Sequence, residues 1–390
     1  MKMQTYLDNS ATTRISDGAL ACYTEVSREH FGNPSSLHSL GLDAEKILAG
    51  ARADILRALG ARSGHLVFTA SGSEANNLAI GGRAHAKARF RGGKILTTAG
   101  EHASVSSPLS RLRDEGFRTV EIPTPGGILD MDALAREMTP DVILVTMMLV
   151  NNETGAQYDL PAVAALMKKN SPEAVLHADA TQAFMKVPFT PQTLGADLIT
   201  LSSHKIHGPK GVGALYVSDA VVKNHGLAAQ ILGGGQEEGF RSGTENVPGA
   251  AAFAFACREE AAAFAGRTAH MEELRARLLT GLANDPALAG VSPTLPPVHA
   301  PHILNLTLPG IKSETMLHYL SAEGIYVSSG SACSSHGGYS SPALIAFGRS
   351  AAEADSSIRV SFSYENTPED TDRLLAALAA GVGRLAGRRR

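Results

Sequence analysis

The sequence contains few cysteines, no long apolar run and no excess of charge of either sign. Its 390 residues include 35 basic and 38 acidic residues, which give a formal net charge of -3. Without a basic patch, a nucleic-acid partner is not expected, because such partners bind clustered lysines and arginines. The three cysteines, Cys22, Cys257 and Cys333, are odd in number and widely spaced. This pattern disfavours a disulfide framework and predicts a reducing, cytoplasmic location.

No stretch approaches the ~20 consecutive apolar residues of a membrane span, and the first residues lack the apolar core of a signal peptide. We therefore expect no membrane partner. Hydrophobic residues make up 44% of the chain and charged residues 19%, which is typical of a globular protein. A chain of 390 residues exceeds one compact core, so two domains are expected.

Strand and helix patterns alternate along the first part of the chain. Short apolar runs predict strands at residues 66–69, 94–98, 118–122, 142–148, 174–178, 198–201 and 214–217. Helical periodicity lies between most of them. This alternation predicts an α/β fold with a mainly parallel sheet in a large domain at residues 16–255. Residues 1–15 and 256–390 are expected to form a smaller α+β domain.

One stretch combines two buried strands with polar residues between them: residues 198–217 read LITLSSHKIHGPKGVGALYV. Lys205 follows the first strand, and strand ends are the usual place for α/β active sites. Ser202 and His204 precede it and can hold a phosphate. A lysine held in this way is suited to a Schiff base with pyridoxal phosphate. The alternative is a solvated loop lysine.

Small residues stand at a predicted helix start, in the order Ser71-Gly72-Ser73. Backbone N–H groups at such a terminus can bind an anion, and the helix dipole favours it. The stretch is neither a Walker loop nor a dinucleotide fingerprint. Many helices begin with Ser-Gly without binding anything, so this interpretation depends on the other residues.

Two further strand ends carry groups suited to the cofactor ring. Asp179, in HADATQ, can keep the ring nitrogen protonated, although a helix N-cap is the alternative. His102, in GEHAS, can lie over the ring and relay protons near neutral pH, although a structural histidine is the alternative.

Arg359 opens a predicted strand and can bind a substrate carboxylate through its guanidinium fork, with Asn152 assisting. Cys333 lies in the Ser- and Gly-rich stretch VSSGSACSSHGG, which suits a thiolate nucleophile. Cys22 and Cys257 lie in alanine-rich helical patterns and are expected to be core residues. Several Cys and His pairs have tempting spacings, but no second local pair completes four ligands, so no metal site is predicted.

The chain resembles the cysteine desulfurases of the nitrogen-fixation and iron–sulfur-cluster-assembly type, which belong to the class V aminotransferases. The resemblance runs nearly end to end. It is carried by the segments YLDNSATT, FTASGSEANNLAI, EHASV, VNNETG, HADATQA, SSHKIHGPKGVG, GGGQEEGFRSGT and VSSGSACSS. Their common order and spacing are more specific than any one of them.

The resemblance implies a fold type I pyridoxal phosphate homodimer, with a mainly parallel seven-stranded sheet in the large domain. It also implies a role for each of these residues: Lys205 as the Schiff-base lysine, Asp179 at the ring nitrogen, Gln182 at the phenolic oxygen, Gly72, Ser73, Ser202 and His204 at the phosphate, Thr244 at the phosphate of the other subunit, His102 on the ring, Asn152 and Arg359 at the substrate carboxylate, and Cys333 as the persulfide carrier.

The implied reaction converts L-cysteine to L-alanine. Lys205 removes the Cα proton, Cys333 attacks the substrate sulfur, and His102 exchanges protons with the substrate thiol. The persulfide then passes to an acceptor, such as a scaffold for iron–sulfur clusters or tRNA thiolation. The alternatives are a selenocysteine lyase, another class V aminotransferase, or a sulfur-carrier scaffold without turnover. Gly72-Ser73 replaces the family's usual Ala-Thr pair and keeps a hydroxyl.

Overall fold

In the computed structural model of the chain, the described residues are 4–86, 93–308, 310–329 and 340–386. Their strands are β1 (Thr5–Tyr6), β2 (His65–Thr69), β3 (Lys94–Thr98), β4 (Arg118–Ile122), β5 (Val142–Met148), β6 (Val175–Asp179), β7 (Leu198–Ser202), β8 (Gly213–Val217), β9 (Ser292–Thr294), β10 (Ile303–Thr307), β11 (Ile325–Tyr326), β12 (Ser328–Ser329) and β13 (Ser357–Ser361).

The α-helices of the same ranges are α1 (Asp17–Glu29), α2 (Ser39–Ala58), α3 (Gly72–Ala86), α4 (Ala103–Asp114), α5 (Met131–Glu137), α6 (Leu160–Asn170), α7 (Pro191–Leu194), α8 (Asp219–Lys223), α9 (Val247–Asn284), α10 (Ser313–Ala322), α11 (Pro342–Phe347), α12 (Ala351–Asp355) and α13 (Pro368–Ala386). None of the helices in these ranges is both long and apolar enough to cross a bilayer.

The largest sheet has seven strands in the order β2-β8-β7-β6-β5-β3-β4. Strands β3 to β7 run parallel to one another, and β8 is antiparallel to both β2 and β7. The predicted mainly parallel seven-stranded sheet is confirmed. Strands β3, β5, β6, β7 and β8 are buried along their whole length, as expected where helices cover both faces.

Parallel strands end at one edge of a sheet, so their last residues are brought together. Here β3 ends at Thr98, β5 at Met148, β6 at Asp179 and β7 at Ser202. The polar residues that follow these four ends are thereby collected at a single edge, although up to a hundred positions separate them in the chain.

A second sheet has four antiparallel strands in the order β12-β13-β10-β9, and β1 pairs with β11 in a two-stranded sheet. A separate core cluster packs around the four-stranded sheet and includes Leu304, Val360 and Leu374. Strands β9 and β12 were not predicted, because Ser-Pro-Thr and Ser-Ser lack the apolar alternation that indicates a strand.

Helix α9 is one continuous element of 38 residues that serves both cores. Its first half places Phe253 and Cys257 in the core of the large sheet, and its second half places Leu274 and Leu278 in the core of the small one. The predicted domain boundary after residue 255 falls inside this helix. The division into 16–255 and the remainder therefore stays a prediction.

Shortening Leu278 should destabilise the protein strongly. Its side chain is 0% exposed, so Leu278→Ala leaves a cavity at the helix–sheet contact. We expect the free energy of unfolding to fall by about 2–5 kcal/mol, measured by urea denaturation. Leu295→Ala is the matched control, because Leu295 is 54% exposed. The control should change stability by less than about 0.5 kcal/mol. Equal effects of the two substitutions would contradict this packing.

Candidate active site

A cavity of about 330 Å³ lies where the strand ends of the large sheet meet the N-terminal segment and the small sheet. Most of the residues predicted for the site line it: Gly72, Ser73, His102, Asn152, Asp179, Gln182, Ser202, His204, Lys205 and Arg359. The fold therefore brings together residues from six separate stretches of the sequence.

Lys205 ends a short 3-10 helix, Ser203–Lys205, that directly follows β7. Its Nζ atom donates hydrogen bonds to the backbone oxygens of Ser10 at 2.5 Å and Ala11 at 2.8 Å. The amine is thus held against the cavity wall by backbone carbonyls of the N-terminal segment. These contacts disfavour the solvated loop lysine as an interpretation of Lys205.

Asp179 is the last residue of β6 and is only 6% exposed. Its Oδ1 accepts from the backbone N–H of Thr181 at 2.9 Å, and its Oδ2 accepts from Asn76 Nδ2 at 2.8 Å. A turn follows, and the next α-helix begins at Pro191, so Asp179 is not a helix N-cap. Both carboxylate oxygens are held in fixed positions at the cavity wall.

Helix α3 begins at Gly72, where the sequence predicted an anion site. A Cβ atom at Gly72 would lie 3.2 Å from Thr181 Oγ1 and 3.3 Å from Ser202 Cβ, so the start of α3 packs closely against these residues. His204 Nδ1 lies 3.1 Å from Thr12 Oγ1. Burial, and then the neighbouring lysines, lower the pKa of His204 to about 4, so its ring is neutral at pH 7.

Gln182 connects the cavity to the N-terminal segment. Its Nε2 donates to Ser10 O at 2.9 Å, and its Oε1 lies 3.4 Å from Nε2 of the buried His302. The amide is held from both ends and presents one edge to the cavity. Thr244, in contrast, is exposed and does not line this cavity. Its expected contact with a phosphate on another subunit stays a prediction.

Arg359 reaches the cavity from β13 of the small sheet and is 7% exposed. Its Nη1 donates to Asn152 O at 2.9 Å, and its Nη2 donates to Asp8 Oδ1 at 3.0 Å. Burial raises the pKa of Asp8, and the charge of Arg359 opposes that rise. The guanidinium is therefore oriented by an acidic partner before any substrate carboxylate arrives.

His102 is the N-cap of α4, and its Nδ1 accepts from the backbone N–H of Ser104 at 3.1 Å. Burial lowers its pKa, with Asp179 acting in the opposite direction. A histidine that caps a helix through Nδ1 has Nε2 left for other partners. The structural and the functional interpretations of His102 are thus compatible.

Glu101 anchors the loop that carries His102. Its carboxylate accepts from Thr98 Oγ1 at 2.5 Å and from the backbone N–H of Met148 at 2.9 Å, and so joins the ends of β3 and β5. Burial raises the pKa of Glu101 to about 8.

Asn76, Ser104 and Asp8 contact the predicted site residues and were missed. Asn76 lies four positions after Gly72, on the same face of α3, and this spacing was the available signal. Asp8 follows an extended apolar piece, in LDN, but nothing in the sequence joins it to Arg359.

Cys333 lies outside the described residues. On one side of residues 330–339, Ser328 and Ser329 line the cavity. On the other side, Ser341 Oγ donates to Glu153 Oε2 at 2.5 Å. Of the other cysteines, Cys257 is buried as predicted and Cys22 is half-buried. Burial raises the pKa of both thiols, which disfavours their thiolate forms.

The profile of the Aminotransferase class-V family matches residues 5–374 of the chain. The chain is 37% identical over 376 residues to the NifS/IcsS protein homolog of Lactobacillus delbrueckii subsp. bulgaricus, covering 95% of each sequence. It is 34% identical over 383 residues to cysteine desulfurase IscS 1 of Archaeoglobus fulgidus, covering 97% of each. The solved structure of a NifS-like protein superimposes with a TM-score of 0.90 at 33% identity, covering 98% of this chain and 100% of that one.

Glu101→Gln should change how stability depends on pH. The pKa of Glu101 is raised from 4.5 to about 8 in the folded protein, so between these values the unfolded chain has lost a proton that the folded protein keeps. The free energy of unfolding therefore falls as pH rises through this window. Glutamine does not titrate, so the variant should gain stability relative to the wild type from pH 5 to 8, measured by urea denaturation at each pH. Glu25→Gln, at an exposed position, is the control. A constant difference between Glu101→Gln and wild type would contradict the prediction.

Proposed function

The chain belongs to the class-V aminotransferase family, and we propose that its cavity is the active site of a cysteine desulfurase. Such an enzyme uses pyridoxal phosphate, takes the sulfur of L-cysteine and leaves L-alanine. One observation carries the assignment: Lys205, Asp179, Gly72 and Arg359, from four separate elements, line one cavity. In that order they supply an amine, a carboxylate, a helix N-terminus that can bind an anion and a guanidinium that can bind a carboxylate. These are the contacts that an amino acid and this cofactor require.

The residues present fit pyridoxal phosphate. Gly72 and Ser73 line the cavity, and the N-terminus of α3 favours an anion there. Ser73 and Ser202 each add a hydroxyl, and His204 adds a neutral imidazole. Gln182 would bind the phenolic oxygen, and Thr244 of a second subunit would complete the phosphate contacts.

When bound, the cofactor supplies an electron sink for the pair released as the Cα–H bond breaks. Asp179 keeps the ring nitrogen protonated, and its two held oxygens fix where that charge sits. Lys205 Nζ holds the cofactor before substrate binds and then takes the proton from Cα. In the structure the backbone oxygens of Ser10 and Ala11 hold the amine in the cavity, where it would be available to take that proton.

Arg359 binds the substrate carboxylate, and Asn152 assists it. Because Nη1 and Nη2 are already held by Asn152 O and Asp8, the guanidinium does not need to be ordered when the substrate arrives. This arrangement would select amino acids with a free carboxylate, in the cavity that Lys205 also lines.

We infer that Cys333 is the nucleophile toward sulfur. Its thiolate attacks the sulfur of the substrate, an S–S bond forms, and the Cβ–S bond breaks with its electron pair going to carbon. Proton transfer to that carbon completes alanine, and Cys333 is left as a persulfide. His102 exchanges protons with the substrate thiol. The support is that Cys333 follows the cavity-lining Ser329 by four positions in the sequence, whereas burial raises the pKa of Cys22 and Cys257.

We propose that the partners are a second copy of the chain and an acceptor protein for the persulfide sulfur, such as an iron–sulfur scaffold. Large apolar side chains are exposed near one another in sequence, with Phe31 at 70% and Leu37 at 95%, and Leu232 is 83% exposed beside the loop of Thr244. Such side chains suit a homodimer interface. Free thiols at Cys22 and Cys257 support a cytoplasmic site of action.

Borohydride reduction of the yellow holoenzyme should attach the cofactor irreversibly to Lys205. The reason is that the Lys205 amine lines the cavity while the neighbouring Lys210 is exposed. Peptide mapping by mass spectrometry measures the attachment site. Lys210→Arg is the control and should be labelled as fully as the wild type. An adduct on any other lysine would overturn the site assignment.

Cys333→Ser should separate the two halves of the reaction. A hydroxyl is a poor nucleophile toward sulfur, whereas a thiol with a free pKa of about 8.5 supplies thiolate near neutral pH. The variant should bind pyridoxal phosphate and exchange the Cα proton of L-cysteine. It should form no alanine and carry no persulfide, both measured after anaerobic incubation.

Cys22→Ser is the matched control and should keep both products. Alanine formation by Cys333→Ser at the wild-type rate would contradict the persulfide mechanism. Retained turnover of selenocysteine alone would favour a selenocysteine lyase, and keto-acid formation would favour an aminotransferase.

A further inference from the structure

Asn76 is a buried polar residue beside the site to which the sequence gave no role. It lies on α3, is 1% exposed, and donates two hydrogen bonds from one amide nitrogen. Nδ2 lies 2.8 Å from Asp179 Oδ2 and 2.8 Å from Ser104 Oγ. One amide group thus contacts both the ring-nitrogen carboxylate and the turn that carries His102.

The direction of these bonds follows from the chemistry of the amide. Nδ2 carries two hydrogens, and both are used. Turning the amide over would place Oδ1 of Asn76 against the carboxylate of Asp179, which is repulsive. Oδ1 itself is buried and has no hydrogen-bond partner within the described part of the chain. A buried oxygen without a partner lowers the stability of the fold, so we explain the presence of asparagine by the two hydrogen bonds that it donates.

The hydrogen-bond network continues from Ser104 to His102. Ser104 Oγ accepts from Asn76, so its own hydrogen can go to His102 Nδ1, which lies 2.8 Å away. The backbone N–H of Ser104 also donates to Nδ1, at 3.1 Å. Two donors converge on Nδ1, which must therefore be unprotonated, and the ring hydrogen lies on Nε2.

Charged neighbours act on His102 from several sides. Asp179 favours its protonation, whereas Lys205 and Arg359 oppose it, and burial lowers its pKa further. A neutral imidazole with its hydrogen on Nε2 is the form that these contacts leave. A neutral histidine at a helix N-terminus is a known way of aiming a hydrogen-bond donor at a reacting group.

We propose that Asn76 is a positioning residue that joins Asp179 to His102 through Ser104, so that one amide fixes both the carboxylate and the imidazole tautomer. The proposal deepens the proposed function, because it rests on Asp179 and His102 facing the cofactor. It gives the cavity a fixed proton pattern before the substrate binds: an acceptor at Asp179 and a donor at His102 Nε2.

The first test measures the tautomer directly. The full chain is labelled with 15N-histidine, with and without pyridoxal phosphate, and the His102 signals are assigned by comparison with His102→Gln. We expect Nε2 to give the shift of a protonated nitrogen and Nδ1 that of a hydrogen-bonded acceptor, in both samples. A proton on Nδ1 would overturn the proposal without any variant of Asn76.

The second test separates the two branches. Ser104→Ala removes only the hydroxyl link, so the Nδ1 signal of His102 should move while the dissociation constant of pyridoxal phosphate changes by less than about twofold. Asn76→Ala removes both bonds, so it should move the His102 signal and raise that dissociation constant about tenfold, as expected for a hydrogen bond to a charged group. Asn77→Ala is the matched control, because Asn77 is exposed one residue along the same helix.

Wild-type values for both signal and affinity in Asn76→Ala would refute the proposal. If Asn76→Ala does not fold, as judged by circular dichroism, an unmoved Nδ1 signal in Ser104→Ala refutes it instead. The outcome is separable from the desulfurase assignment. A wild-type protein that shows the expected tautomer but makes no alanine from L-cysteine would refute the function and leave the network standing.

Discussion

A short N-terminal segment, residues 8–13, is hydrogen-bonded to both sheets, and the cavity depends on it. On the side of the small sheet, Asn9 Nδ2 donates to Ser361 O at 2.9 Å, and the backbone N–H of Ser10 donates to Ser361 Oγ at 2.8 Å. On the side of the large sheet, the backbone N–H of Thr13 donates to His204 O at 2.9 Å. The segment therefore spans the gap between the two units at the point where the cavity opens. In the same place, Ser10 O accepts from both Lys205 and Gln182, so one carbonyl locates two of the residues proposed to hold the cofactor.

The same segment couples the two ends of the substrate site. Asp8 Oδ1 accepts a hydrogen bond from Arg359 of the small sheet, and Ser10 O accepts one from Lys205, which follows a strand of the large sheet. A shift of the segment would therefore move the Arg359 guanidinium and the Lys205 amine together. Both contacts are partly buried and involve a charged donor, which makes them stronger than a contact at the surface would be. Helix α9 also joins the two parts of the molecule, because its first half packs in the core of the large sheet and its second half packs in the core of the small sheet.

Much of this architecture could be predicted because buried parallel strands give strong sequence signals. Strands β3, β4 and β5 begin and end at the residues predicted; β3 and β5 are buried along their whole length, whereas β4, with the sequence RTVEI, is not. Lys205, Asp179 and Gly72 were found because each stands at the end of such an element. Asn76 and Asp8 were not, because their importance depends on partners about a hundred or several hundred positions away. Pairwise contacts of that kind have no local pattern. The short strands β9 and β12 were missed for a related reason: their neighbours in the sheet, and not their own residues, make them strands.

Some of the buried polar atoms without a hydrogen-bond partner in the described part of the chain belong to cavity residues or to their neighbours in the structure. They include Asn76 Oδ1, Ser10 Oγ, Ser203 Oγ, His302 Nδ1 and Arg359 Nε. Each lowers stability, because a buried donor or acceptor loses its water and gains nothing in exchange. A core built for stability alone would replace such residues with apolar ones. Ser10 and Arg359 line the cavity itself, so these two can meet groups from outside the chain. The fold tolerates the cost because the sheets on either side are buried along most of their length, and the N-terminal segment holds the two walls in register.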